Sequence, residues 1–175
     1  MENNRLSSGT LPSDIELLGD GESFQDTICS MLMEVKGFQS FEQSDLLFLA
    51  RHMKAYQARK GITIFCEGDQ NGYLCVLIKG RICVYKEDQD NDIKLLGTIT
   101  PGKIFGEISI IDNLPHSASL IAESDAVFLL MSREGFRQCT EEQPILGVRL
   151  LGLIARLLCA RLRSASGQLA EYIHV

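Results

Sequence analysis

The sequence has no C-x-x-C pair, only three histidines, and no apolar run long enough to cross a bilayer; each absence closes off a class of protein. Its cysteines (Cys29, Cys66, Cys75, Cys83, Cys139, Cys159) are scattered without metal-ligand spacing, which argues against a zinc site. They read as reduced core residues, since Cys75 and Cys83 sit in apolar runs where free cysteine behaves as a small hydrophobe, a usage normal in a reducing cytosol. His52, His116 and His174 lie far apart, with no nucleophile or carboxylate pair at recognisable spacing, so no catalytic constellation is expected and the protein reads as a non-enzyme. The longest apolar stretch, residues 145–160, is interrupted by Arg149 and Arg156 and falls short of the roughly 20 residues a membrane helix needs. No basic-then-apolar leader opens the chain, because residues 1–21 are rich in Asn, Ser, Gly and acidic side chains; residues 1–22 are expected to be a mobile tail. Positive charge is also scarce, 17 Lys and Arg against 23 Asp and Glu, and the net charge of -6 disfavours nucleic acid and anionic membranes as partners. The expectation is a soluble, cytoplasmic protein whose 175 residues suit one domain with a real core.

What is present divides into three stretches. Phe24, Ile28, Met31, Leu32 and Val35 recur at helical spacing before Gly37, and Leu46, Leu49, Ala50 and Met53 repeat on one face of a second helix over residues 43–53. After Lys54 the period shortens. Strand-like runs at residues 62–65, 73–78, 82–85, 94–99, 119–122 and 126–131 are separated by Gly61, Gly68-Asp69, Asn71-Gly72, Gly80, Asp90-Asn91-Asp92 and Pro101-Gly102. Turn signals every eight to twelve residues predict an antiparallel barrel or sandwich, so the fold class is mainly β with flanking helices.

Ser132 can cap a short helix to about Cys139, and Thr140-Glu-Glu-Gln143 has the form of a capping box opening a long last helix. From Ile145 to Ala160 only Arg149 and Arg156 are polar, so this helix must be covered on more than one side. A second copy is the simplest cover. Parallel pairing across a two-fold axis would bury Leu151, Ile154 and Leu158, with Gly147, Gly152 and Ala155 permitting close approach. The domain is therefore bounded at residues 23–163, its closing helix starting near residue 141, with residues 164–175 as a C-terminal tail.

The most informative segment is F-G-E-I-S-I-I-D-N-L-P-H-S-A-S-L, residues 105–120, a short glycine-led helix closed by a turn at Pro115. Gly106 lets the backbone approach a ligand closely, and the first N–H groups of the helix, at Glu107, Ile108 and Ser109, point toward an anion. The Glu107 carboxylate would repel that anion but accepts a hydrogen bond from a neighbouring neutral hydroxyl. Other blocks stand in order around it: Gly61-Ile-Thr-Ile-Phe-Cys-Glu-Gly-Asp69, Tyr73-Leu-Cys-Val-Leu-Ile-Lys-Gly80 and Pro101-Gly-Lys-Ile-Phe-Gly-Glu107. Together with the flanking helices, they resemble the cyclic nucleotide-binding domain family of the catabolite-activator and protein kinase A regulatory-subunit type, over residues 32–163.

The resemblance implies a β-roll with a phosphate cassette in which Glu107 takes the ribose 2′-hydroxyl and Ser117 and the Ala118 backbone N–H stand beside the phosphate. It also exposes a departure. Where ligand-binding members carry an arginine, this chain has His116, mostly neutral at physiological pH and unable to form the paired guanidinium bonds. Three readings of His116 stand open: a rim residue of a site that no longer binds, a donor to an altered ligand, or a site whose cation is supplied elsewhere, for example by Lys103. The function implied is a regulatory or sensor module with a degenerate cassette, binding cAMP or cGMP weakly, without a metal or other cofactor, dimeric, and signalling through its closing helix to a protein partner. A ligand-free dimerisation scaffold is the alternative, and a cyclic dinucleotide receptor a further one. Only residues 164–175 follow the long helix, too few for a DNA-recognition unit, so no DNA binding is expected.

Overall fold

The computed structural model describes residues 11–172, and by internal contacts the chain divides into two compact units, one through Gln138 and one from Cys139. In the first, α1 (Gln25–Met33) and α2 (Gln43–Arg51) are joined through a 3-10 turn at Lys36–Phe38. They bury the faces that their spacing predicts, Ile28 and Leu32 on α1 and Leu46, Leu49 and Ala50 on α2. Among the described residues nine strands, the first of them ahead of α1, form two antiparallel sheets: β1 (Ile15–Asp20), β2 (Met53–Ala58), β9 (Ala126–Ser132), β4 (Tyr73–Lys79) and β7 (Ile104–Phe105) in that spatial order, and β3 (Thr63–Phe65), β8 (Ser119–Ala122), β5 (Ile82–Glu87) and β6 (Ile93–Ile99) in the other. The inward faces share one apolar cluster, including Ile64, Phe65, Cys75, Leu77, Phe105, Leu120 and Phe128. The antiparallel pairing is what the turn spacing predicts, and the β-roll is what the resemblance implies.

Three strands lie outside the predicted set. The spacing gives Met53 to the second helix and residues 54–58 to no element, Lys54, Gln57 and two alanines carrying little strand propensity, yet residues 53–58 pair with β9 from Met53↔Met131 to Ala58↔Ala126. The expected tail likewise contains β1, whose residues 15–20 cover the other edge of β2 and satisfy its backbone groups. Only residues 1–10 of that expected tail lie outside the described residues. The two-residue β7 aligns Phe105 with Cys75 and Ile104 with Val76, carrying the chain from the sheet into the predicted cassette.

Ser132 caps α4 (Arg133–Glu142) as expected, its hydroxyl accepting the Gly135 N–H at 3.1 Å. The predicted capping box at residues 140–143 does not open the last helix: Thr140 to Glu142 finish α4, and α5 (Pro144–Tyr172) starts at a proline, which lacks the N–H that a helix interior would require. Within the second unit a Cβ on Gly147 would stand 2.9 Å from the Thr140 methyl group, so this small residue serves the corner between α4 and α5. Helix α5 also runs through residues 164–172, where a tail was expected. Its buried side chains form a single stripe, Leu146, Leu150 and Ile154, while Ile145, Val148, Leu151 and Leu162 are exposed.

Four cysteines (Cys29, Cys75, Cys83, Cys139) are buried free thiols, whereas Cys66 and Cys159 are exposed and do not fit the expectation of core residues. Among the described residues no group of histidine, cysteine or acidic side chains could hold a metal ion, and no helix is long and apolar enough to cross a membrane.

Candidate functional site

The cassette begins where β7 leaves the edge of β4. Gly106 has φ +75°, and a Cβ there would lie 2.5 Å from the Tyr73 carbonyl oxygen; this close approach requires glycine for both reasons. The helix that follows, α3 (Glu107–Asp112), ends at Asn113, φ +59°, a left-handed conformation that asparagine tolerates. Ser109 is buried and its hydroxyl donates to the Gly106 carbonyl at 2.9 Å, tying the helix to its own entry turn. Glu107 is fully buried, and its charge adds to the burial that pushes the Cys75 thiol well above the ordinary range. The Ile108 side chain faces outward, leaving only its backbone to serve a ligand.

The second half of the cassette is held by the turn after β3. The Gly68 N–H donates to the His116 carbonyl and the His116 N–H to the Asp69 carbonyl, both at 2.9 Å. Asp69 in turn accepts the Cys66 N–H, and the Glu67 N–H donates to the Ser119 hydroxyl. Lys86 on β5 straps the same turn, donating to Glu67 at 2.6 Å and to the Ser117 carbonyl at 2.7 Å. Ser117 is exposed and Ala118 half-buried beside it.

His116 is not a rim residue. It is only 6% exposed, and its ring lies flat on Phe65 with centroids 4.4 Å apart and planes 9° from parallel, Tyr73 standing 6.5 Å away. Burial drives the imidazole below its ordinary value; Asp69 and a ring hydrogen bond to the Asn71 backbone oppose this, and Arg133 adds to it. Nε2 is buried without a hydrogen-bond partner, which leaves Nδ1 as the nitrogen through which the Asn71 backbone can favour a proton. A neutral ring with its proton on Nδ1 satisfies all of these observations.

Sequence reasoning missed two cations here. Arg133, at the start of α4, reaches back over Gly72 and donates through one terminal nitrogen to the Ser109 carbonyl at 2.8 Å, while its Nε is buried without a partner. Lys86 has the position described above. Lys103, the cation that the sequence suggested, is exposed in the turn before β7, where its backbone bonds Thr100 and Leu77. No spacing rule links Arg133 or Lys86 to the cassette, because both arrive through strand pairing.

The family model of the cyclic nucleotide-binding domain matches residues 56–143, from β2 to the residue after α4. The chain belongs to the cyclic nucleotide-binding domain family. It is 29% identical over 136 residues to a CRP-like cAMP-activated global transcriptional regulator of Mycobacterium tuberculosis, the match covering 78% of this chain and 59% of that protein. It is 27% identical over 109 residues to a cAMP-dependent protein kinase regulatory subunit of Aspergillus niger, covering 62% of this chain and 26% of that one. Among solved structures, a cyclic nucleotide-binding domain from Methylobacillus flagellatus KT superposes with a TM-score of 0.81 at 28% identity, covering 93% of this chain and 91% of its own. The chain thus spans about three-fifths of the curated regulator and nearly the whole of the solved domain. The positions that the sequence named, Gly106 through Ser109 and His116 through Ala118, lie in the segment from the end of β7 through α3 to the start of β8.

Proposed function

We propose that this chain is a non-enzymatic regulatory module that binds cyclic nucleotide weakly through a degenerate phosphate cassette and passes the signal on through α5. The observation that carries the reading is His116: the position of the expected guanidinium holds a buried ring stacked on Phe65. Losing one partner of a buried, hydrogen-bonded charge pair costs about 2–5 kcal/mol. At about 1.4 kcal/mol per decade, a micromolar site becomes weaker by roughly one and a half to three and a half decades. The two regulatory relatives described above support the non-enzymatic reading, and both are linked to cAMP by name, which supports a cyclic nucleotide as the ligand class.

Titration calorimetry tests this. Near pH 7.5 the native chain should bind cAMP and cGMP weakly, and His116→Arg should tighten binding by at least one decade. A submicromolar dissociation constant for the native chain refutes the degenerate cassette. Failure of His116→Arg to bind either nucleotide refutes ligand binding and leaves the scaffold reading, which the burial of the His116 ring favours.

The dimer is carried by α5 itself. Val148, Leu151, Ala155, Leu158, Leu162, Ala165 and Leu169 follow one another at alternating steps of three and four, the period of a parallel two-stranded coiled coil, and all but the half-buried Leu158 are exposed. This seam keeps Leu151 and Leu158 from the residues named on sequence grounds. Ile154 falls off it, onto the buried stripe with Leu146 and Leu150.

A further inference from the structure

The His116 ring fills an aromatic slot in a protonation state that cannot serve an anion. Its flat face lies on Phe65, the Asn71 backbone favours a proton on the ring, and its Nε2 is buried without a hydrogen-bond partner. A buried acceptor left unpaired is destabilising, so the closed arrangement holds the ring in place against a standing penalty. Adding a proton at Nε2 does not relieve the closed slot: the new N–H has no acceptor there, and burial disfavours the charge. The charged and titratable groups around the ring are Asp69 on the turn after β3, which favours the imidazolium, Arg133 at the start of α4, which opposes it, and the Tyr73 phenol on β4, itself raised by burial and neutral. A phosphate oxygen brought to the cassette supplies what the slot lacks, an anionic acceptor for the Nε2 proton.

We infer that the cassette takes up a cyclic phosphate ester together with one proton, which comes from solvent to Nε2 of His116 as the ring leaves Phe65. The inference rests on the ligand-binding reading above and adds to it the regulation of that site: binding is linked to pH through one residue. No bond of the ligand is broken, and the phosphodiester is an anion before and after. The protonated form binds, so affinity rises as pH falls through the bound-state value of His116 and levels off below the free-state value. Between those two values the slope approaches about tenfold per pH unit for one linked proton.

The experiment is cAMP titration of the full chain from pH 8 to 5.5, repeated by calorimetry in two buffers of different ionisation enthalpy. The native chain should gain affinity as pH falls and take up close to one proton per site. His116→Arg should bind tightly with a flat profile. His116→Phe, which keeps the stack on Phe65 but cannot be protonated, should bind weakly with a flat profile. A ligand-independent readout is the imidazole nitrogen spectrum, which should show the Nδ1–H tautomer in the free chain at pH 7.5 and protonation of Nε2 on saturation with cAMP. A flat native profile beside a tight His116→Arg variant overturns the proton linkage and leaves the ligand-binding reading standing. A pH response that survives in His116→Phe, or an Nε2–H tautomer in the free chain, also overturns it. If neither the native chain nor His116→Arg binds cAMP at any pH, the ligand-binding reading itself falls.

Discussion

Replacing Gly106 by alanine should be among the most damaging single-methyl changes in the chain, and its cost divides into two parts that can be measured separately. The first is conformational: at φ +75° an L-residue carries a left-handed penalty of about 1–2 kcal/mol. The second is steric, because the new Cβ would stand 2.5 Å from the Tyr73 carbonyl oxygen. That atom belongs to the backbone of β4 and cannot swing aside; displacing packed structure to make room typically costs about 1–3 kcal/mol. The sum is about 2–5 kcal/mol, a large share of the roughly 5–15 kcal/mol that holds a typical domain folded. Gly61 supplies the control. It has φ +88°, but a Cβ there meets nothing within 4 Å, so Gly61→Ala should lose only the conformational part. Urea melts of both variants should differ by about 1–3 kcal/mol, Gly106→Ala being the less stable. Equal stabilities within about 0.5 kcal/mol would refute the close approach of the cassette entry to β4.

The exposed thiols Cys66 and Cys159 should react with a disulfide reagent in the native chain, while Cys29, Cys75, Cys83 and Cys139 should react only after unfolding, Cys139 being pushed by burial up to about 11; fast reaction of a third thiol would contradict the packing. Lys86→Met should destabilise the 66–69 turn by about 0.2–1 kcal/mol near neutral pH, because both partners of the Glu67 pair are partly exposed. The Glu67 carboxyl is held below its ordinary value by Lys86 and the Glu87 N–H, so its contribution is complete above that ordinary value and lost as pH falls through the lowered one; the gap between native and Lys86→Met melts should narrow in acid to what the Lys86 bond to the Ser117 carbonyl supplies, and a gap independent of pH would exclude the pair. Leu162→Glu should convert a dimer to a folded monomer in sedimentation, since Leu162 is 68% exposed within its own chain and packs on nothing there; a dimer that survives the change excludes the α5 seam.

What could be read from the sequence was whatever depends on near neighbours. Turn residues at short intervals, helical spacing in α1 and α2, and the Gly106-to-Ala118 pattern are local, since backbone conformation, caps and face periodicity are decided within a few residues. The family and the β-roll followed from them. Tertiary structure alone decided the rest. Strand β2 exists because β1 and β9 flank it, not because Met53 to Ala58 favour extension. His116 is a buried ring rather than a rim residue because the Gly68-Asp69 turn grips its backbone and Phe65 receives its face, both brought there by β3 pairing with β8. Arg133 and Lys86 reach the cassette from residues 24 and 31 positions distant from those they bond. Such contacts carry no sequence signal, because electrostatics and desolvation depend on distance in space, and only the paired sheets determine which distant side chains share a site.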